Sequence, residues 1–152
     1  MTIGVAATCV AAAAANITLG GAIYEALLVD RAWPETPSII QPARGGIDRR
    51  VFWLPAHLLF ELPLFVAIWA TWRVHPVRSL LLFAMASHFA LRAWSLLYFI
   101  PLAVKFERAG DLEPQLAARA RTWVRLSRWR IMLQGCTLVG ASCAAFRIVS
   151  GL

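Results

Sequence analysis

Residues 51–72, VFWLPAHLLFELPLFVAIWATW, restrict what this chain can fold into more than any other stretch. A helix needs about 20 predominantly apolar residues to cross a hydrocarbon core, and this run supplies them. Yet His57 and Glu61 lie in its interior. Four residues apart, they stand one above the other on a helix, and Trp53 continues the same stripe. An ionisable group at mid-bilayer costs about 2.5–3.5 kcal/mol even on insertion scales, which makes it a functional-site candidate from the outset. A helix built this way must turn its stripe toward polar partners supplied by the rest of the chain.

Three more apolar stretches accompany it, giving spans at about 3–29, 51–72, 80–101 and 131–150. Of the 152 residues 60% are hydrophobic, against about 45–50% in a soluble domain. The expected fold is therefore all-α: an integral membrane four-helix bundle forming one domain over 1–152. The first span is Ala-rich and carries Asn16, Tyr24 and Glu25, with Gly20 and Gly21 placed for close helix approach. No Lys or Arg precedes Arg31, so this span lacks the basic start of a cleaved signal and reads as retained.

Its successor, DRAWPETPSIIQPARGGIDRR, is broken by prolines and paired glycines and is long enough to act as a lid over the bundle end. Pro55 and Pro63 predict a kink near Glu61. The short RVHPVRS turn makes spans two and three antiparallel neighbours. Asp111 is placed to cap a helix with Pro114 in its first turn. From there nothing interrupts the helical pattern, so a long basic extension leads straight into the fourth span. Cys9, Cys136 and Cys143 form no C-x-x-C pair and read as small packing residues.

Charge sets the orientation. The formal net charge is +7, but the basic residues crowd the ends of apolar spans. Lipid headgroups explain that placement and nucleic acid does not. Eleven of the 15 Lys and Arg fall in the two connections after spans one and three, whereas the short turn holds Arg73 and Arg78. The positive-inside rule then puts both termini outside and the long loops in the cytoplasm, as in a bacterial inner membrane.

At about 1.5 Å per residue, His57 lies about 9 Å below the cytoplasmic start of its span and Glu61 near the middle. His88 is at a similar level on span three, with Arg92 one turn closer to the cytoplasm. Glu25, Tyr98 and Arg130 sit at the same end. All four spans thus send their costly residues to the cytoplasmic half, which predicts one pocket under the long loops.

Three chemistries compete for it. His57, Glu61 and His88 match the two-histidine, one-carboxylate set that holds a transition metal such as iron or copper; Arg92, a cation beside a dication, opposes that. Alternatively a histidine abstracts a proton from an organic substrate while Arg92 stabilises the anion. Third, the pocket binds a quinone-like or lipid molecule without catalysis, as a binding or accessory protein. No phosphate loop, haem-attachment motif or nucleophile elbow is present.

The order of short motifs narrows the field. GGAIYE closing the first span, Phe52-Trp53 opening the second, Tyr98 to Pro101 closing the third, and Trp123 with Arg130 before the fourth resemble the anthrone-oxygenase-like family of small four-helix membrane proteins. Ser127 stands where that pattern has Asn. The resemblance implies oxidation of a polycyclic phenolic anthrone by molecular oxygen. An anthrone is a carbon acid whose anion reacts with oxygen without a metal, so proton abstraction is favoured over a bound cofactor. His57, His88, Arg92 and Glu61, chosen from the residues themselves, are the expected catalytic set. Glu25, Trp53, Tyr98, Trp123, Arg130, Tyr24 and Asn16 are expected around a hydrophobic small molecule. Membrane lipids are the remaining partners, and the apolar faces are compatible with a homo-oligomer.

Overall fold

A computed structural model of the chain describes residues 3–151. Its frame is four long helices: α1 Ile3–Ala32, α2 Arg50–Ala70, α3 His75–Arg108 and α4 Pro114–Ser150. The described residues contain no strand, and each helix is long and apolar enough to cross a membrane. The all-α, four-helix expectation therefore holds. Leu97, Trp69 and Phe89 are 82%, 75% and 72% exposed. So apolar an exterior suits hydrocarbon, not water.

Residue size sets how the helices approach. Ala7, Ala11, Ala14 and Ala15 of α1 are buried in one core with Phe60, Leu64 and Ala67 of α2 and Ala141 and Ala144 of α4. These small residues let α1 lie along both α2 and α4. Gly140 does the same for α3 and α4: a Cβ there would lie 2.9 Å from the Leu80 carbonyl oxygen. α2 and α3, expected as neighbours across the short turn, do face each other, but at a wider spacing. The turn joins them, yet their backbones come close at few positions. His57, Phe60 and Glu61 face His88 and Arg92 across this seam, and side chains of that size hold two helices apart.

Other differences are local. Gly21 does meet α2, at the ring of Phe52, whereas the Cβ position of Gly20 is open. Cys136 and Cys143 are exposed, not packed. Asp111 does not cap α4; it pairs with Arg44 at 3.1 Å, and Glu113 takes the cap position with Pro114 following. Helical backbone also runs on past Pro101, where the third span was expected to end, as far as Arg108.

Two turns of wider, π-type helix interrupt the spans, Glu25–Val29 in α1 and Ser95–Phe99 in α3. In each, an N–H reaches back five residues: Asp30 to the Glu25 carbonyl, Ile100 to that of Ser95. Pro101 has no N–H to donate and its ring crowds the carbonyl four residues earlier; a widened turn just before it accommodates both. Such turns frequently mark functional sites.

The 33–49 connection covers this end of the bundle as a lid. Trp33 and Ile40 are fully buried in a second core with Val29, Phe99, Phe106, Ala120 and Trp123. Gln41, also fully buried, donates from Nε2 to the carbonyls of Phe106 at 3.0 Å and Gly110 at 2.6 Å. Gly45 turns the chain at φ +80°, where glycine is preferred. Close by, Arg50 donates to Asp48 from side chain and backbone, holding that carboxyl below the usual carboxylate range. The bundle's other end brings the start of α1 against the α2–α3 turn, with Gly4 beside Thr71.

Candidate functional site

The wide α2–α3 seam opens under the lid into a cavity of about 280 Å³, close to the lower end of the range of about 300–1,000 Å³ for ligand pockets. Trp53, Leu54 and His57 of α2 form one wall, and Arg92, Ser95, Phe99 and Ile100 of α3 form the facing one. Trp123 and Arg130 of α4 and Glu25 of α1 close the sides, and Arg49 and Glu107 border the lid end. The π turns contribute Glu25, Ser95 and Phe99. The widened backbone thus falls where the site needs room.

Polar groups run in a chain from the lid inward. Arg49 bridges two carboxylates, Glu107 at 3.3 Å and Glu25 at 3.4 Å, and its guanidinium lies over the Trp123 ring. The other oxygen of Glu25 accepts from the Trp53 indole at 3.0 Å. The Trp53 ring stacks on His57 with centroids 5.5 Å apart and 26° between planes. His57 in turn meets His88 edge to face at 5.5 Å. His88 Nε2 is 2.9 Å from Glu61 Oε1, and Arg92 Nε lies 3.3 Å from that same oxygen. His88 hydrogen-bonds that oxygen, whereas Arg92 is paired with it by charge.

The four expected catalytic residues are therefore together, but in two layers. His57 and Arg92 line the cavity; His88 and Glu61 contact them from behind. His57 is buried, and its Nδ1 has no hydrogen-bond partner among the described residues. One ligand atom from each of His57, Glu61 and His88 lies within 4.8 Å of the others, close enough to serve one metal ion after small side-chain rotations. Arg92 does not stand clear of this group; it shares Glu61 with His88.

Of the expected substrate-binding residues, Glu25, Trp53, Trp123 and Arg130 line the cavity. Trp123 is fixed there by its indole N–H, which donates to the Phe99 carbonyl at 3.1 Å. Arg130 lies over the Phe99 ring at 4.5 Å. The other three lie elsewhere. Asn16 is on the exposed side of α1, its amide bonded to the Ala12 carbonyl, because the stripe of α1 that faces in is its alanines. Tyr24 is 59% exposed and borders a second cavity of about 420 Å³ between α1, α2 and the lid. Tyr98 packs edge-on against Phe99 and leaves the cavity wall to it.

Arg49, Glu107 and Ser95 are the residues that sequence reasoning undervalued. Arg49 counted only as one of the loop charges that set orientation, and Glu107 lay beyond the expected end of the third span. Glu25, Arg49 and Trp53 border both cavities and so form the partition between them.

Compared with protein-family models, with curated proteins and with solved structures, the chain gives no match.

Proposed function

We propose that this protein is a membrane-embedded oxidoreductase that removes a proton from a hydrophobic aromatic carbon acid of the anthrone type and lets the carbanion react with dioxygen. The observation that carries this reading is His57 on the wall of an apolar, aromatic cavity, with its Nδ1 unpartnered. Neutral imidazole is the base suited to such a step near neutral pH. Trp53, Phe99 and Trp123 give flat rings something to stack on, and Arg92 offers a cation to the oxyanion of the enolate form. The balance is simple. One methylene hydrogen leaves as a proton to the base, the carbanion forms a C–O bond to dioxygen, and the returned proton gives a hydroperoxide; loss of the second hydrogen as the O–O bond breaks then releases water and leaves the ketone. One anthrone and one dioxygen become one anthraquinone and one water.

The motif order that resembles the anthrone-oxygenase-like family supports the same reading. Charge asymmetry supports an orientation with both termini outside and the lid in the cytoplasm. The test is anthrone oxidation by purified protein in phosphatidylcholine nanodiscs, followed by anthraquinone absorbance against empty discs. Production above the empty-disc rate supports the assignment; equal rates refute it.

A second reading has its own support. The mutual approach of His57, Glu61 and His88 within 4.8 Å fits a site for iron or copper, which would activate dioxygen directly. The proton-abstraction reading is preferred because Arg92 lies 3.3 Å from Glu61 Oε1 and would set a cation beside any ion held there.

A further inference from the structure

We infer that the cavity takes an aromatic anion, held by Arg130 and Ser95; this deepens the reading of the cavity as a substrate site and rests on it. Three buried side-chain nitrogen or oxygen atoms lack a hydrogen-bond partner among the described residues: His57 Nδ1, Ser95 Oγ and Arg130 Nε. All three belong to residues lining this one cavity. They come from three different helices, α2, α3 and α4. A buried polar group without a partner costs free energy wherever it occurs, and native structures hold few of them. Their concentration around one cavity marks it as the place where a ligand, with small shifts of these side chains, would complete them.

The kind of complement follows from their chemistry. Arg130 is a permanent cation that can only donate. Each of the other cavity guanidiniums already has a carboxylate to balance its charge: Arg49 has Glu25 and Glu107, Arg50 has Asp48, and Arg92, which still lines the cavity, has Glu61. Arg130 makes no ion pair among the described residues. Glu25 and Asp30 are its nearest acids by charge, but the Glu25 oxygens serve Arg49 and Trp53, and Asp30 accepts from Trp33. Solvent can hydrogen-bond a guanidinium but does not balance its charge, whereas an anionic oxygen does both. Ser95 on the facing helix can donate to the same oxygen. The Phe99 ring under Arg130 and the nearby rings of Trp123 and Trp53 favour a flat aromatic body over an alkyl chain.

The probe is 2-naphthoate, titrated calorimetrically against protein in phosphatidylcholine nanodiscs at neutral pH. The expected result is saturable binding at one site, at least tenfold tighter than neutral 2-naphthamide and tighter than decanoate. Arg130→Gln should weaken naphthoate at least tenfold and leave naphthamide unchanged, and Arg130→Lys should recover part of the loss. If Arg130→Gln does not fold, Ser95→Ala serves in its place, with a loss of about threefold in naphthoate affinity alone. Equal binding of naphthoate and naphthamide, or an Arg130→Gln protein that binds naphthoate as wild type does, would overturn the inference. Decanoate binding as tightly as naphthoate would overturn the choice of an aromatic ligand. Turnover is measured separately, so naphthoate binding without anthrone oxidation would refute the oxidase reading and sustain this one.

Discussion

Glu61 and His88 meet across the α2–α3 seam with 2.9 Å between carboxylate oxygen and imidazole nitrogen. That contact, extended by Arg92, bridges the one seam where two consecutive helices do not pack closely. It therefore fixes the register of α2 against α3 and, through His88, the position of the His57 ring.

Removing the Glu61 carboxylate tests this. Glu61→Ala leaves His88 without its hydrogen-bond partner and Arg92 without its carboxylate. Because both Glu61 and Arg92 are about a quarter exposed, the cost belongs at about 1–3 kcal/mol, below that of a fully buried charge pair. Glu61→Gln keeps an acceptor oxygen and should lose less than half as much. Thermal unfolding in detergent measures both. Identical midpoints for wild type and Glu61→Ala would show that the bridge does not hold the seam.

The lid depends on Gln41, whose amide donates to two carbonyls at the end of α3. Gln41→Ala removes the buried bond to the Phe106 carbonyl and the half-buried one to Gly110, at about 1–3 kcal/mol. Amide exchange over 33–49 should rise at least tenfold while the 51–70 amides stay protected. Unchanged exchange in the lid would mean that Trp33 and Ile40 hold it alone.

Orientation is tested by labelling Ser150→Cys in a background with Cys9, Cys136 and Cys143 replaced by alanine. An impermeant maleimide should label intact cells. Labelling only after permeabilisation would reverse the topology and open the cavity to the outside.

How much was legible in the sequence follows from which forces act locally. Helix number comes from runs of apolar residues, and the inward face of α2 comes from the cost of placing His57 and Glu61 against lipid. Those forces operate within one helix, and the structure agrees with them. The separation of α2 from α3 depends instead on which side chains meet between helices, which a four-residue spacing does not state. The π turns at Glu25 and Ser95 leave no mark in an apolar run, apart from Pro101 after the second. Asn16 and Tyr24 are polar but sit where α1 turns its alanines inward, so polarity alone misassigned them. Arg49 was hidden by having a general explanation as a loop charge, and its role emerges only when Glu25 and Glu107 are seen on either side of it.

Oxygen uptake by chelator-stripped protein supplied with anthrone, comparing wild type with His57→Ala, tests the central claim most directly. Stripped wild type should consume one dioxygen per anthrone at the full rate, and His57→Ala should lose at least about 100-fold, the usual worth of a positioned general base. Equal uptake by the two proteins, or uptake that disappears on stripping and returns with added iron or copper, would contradict it.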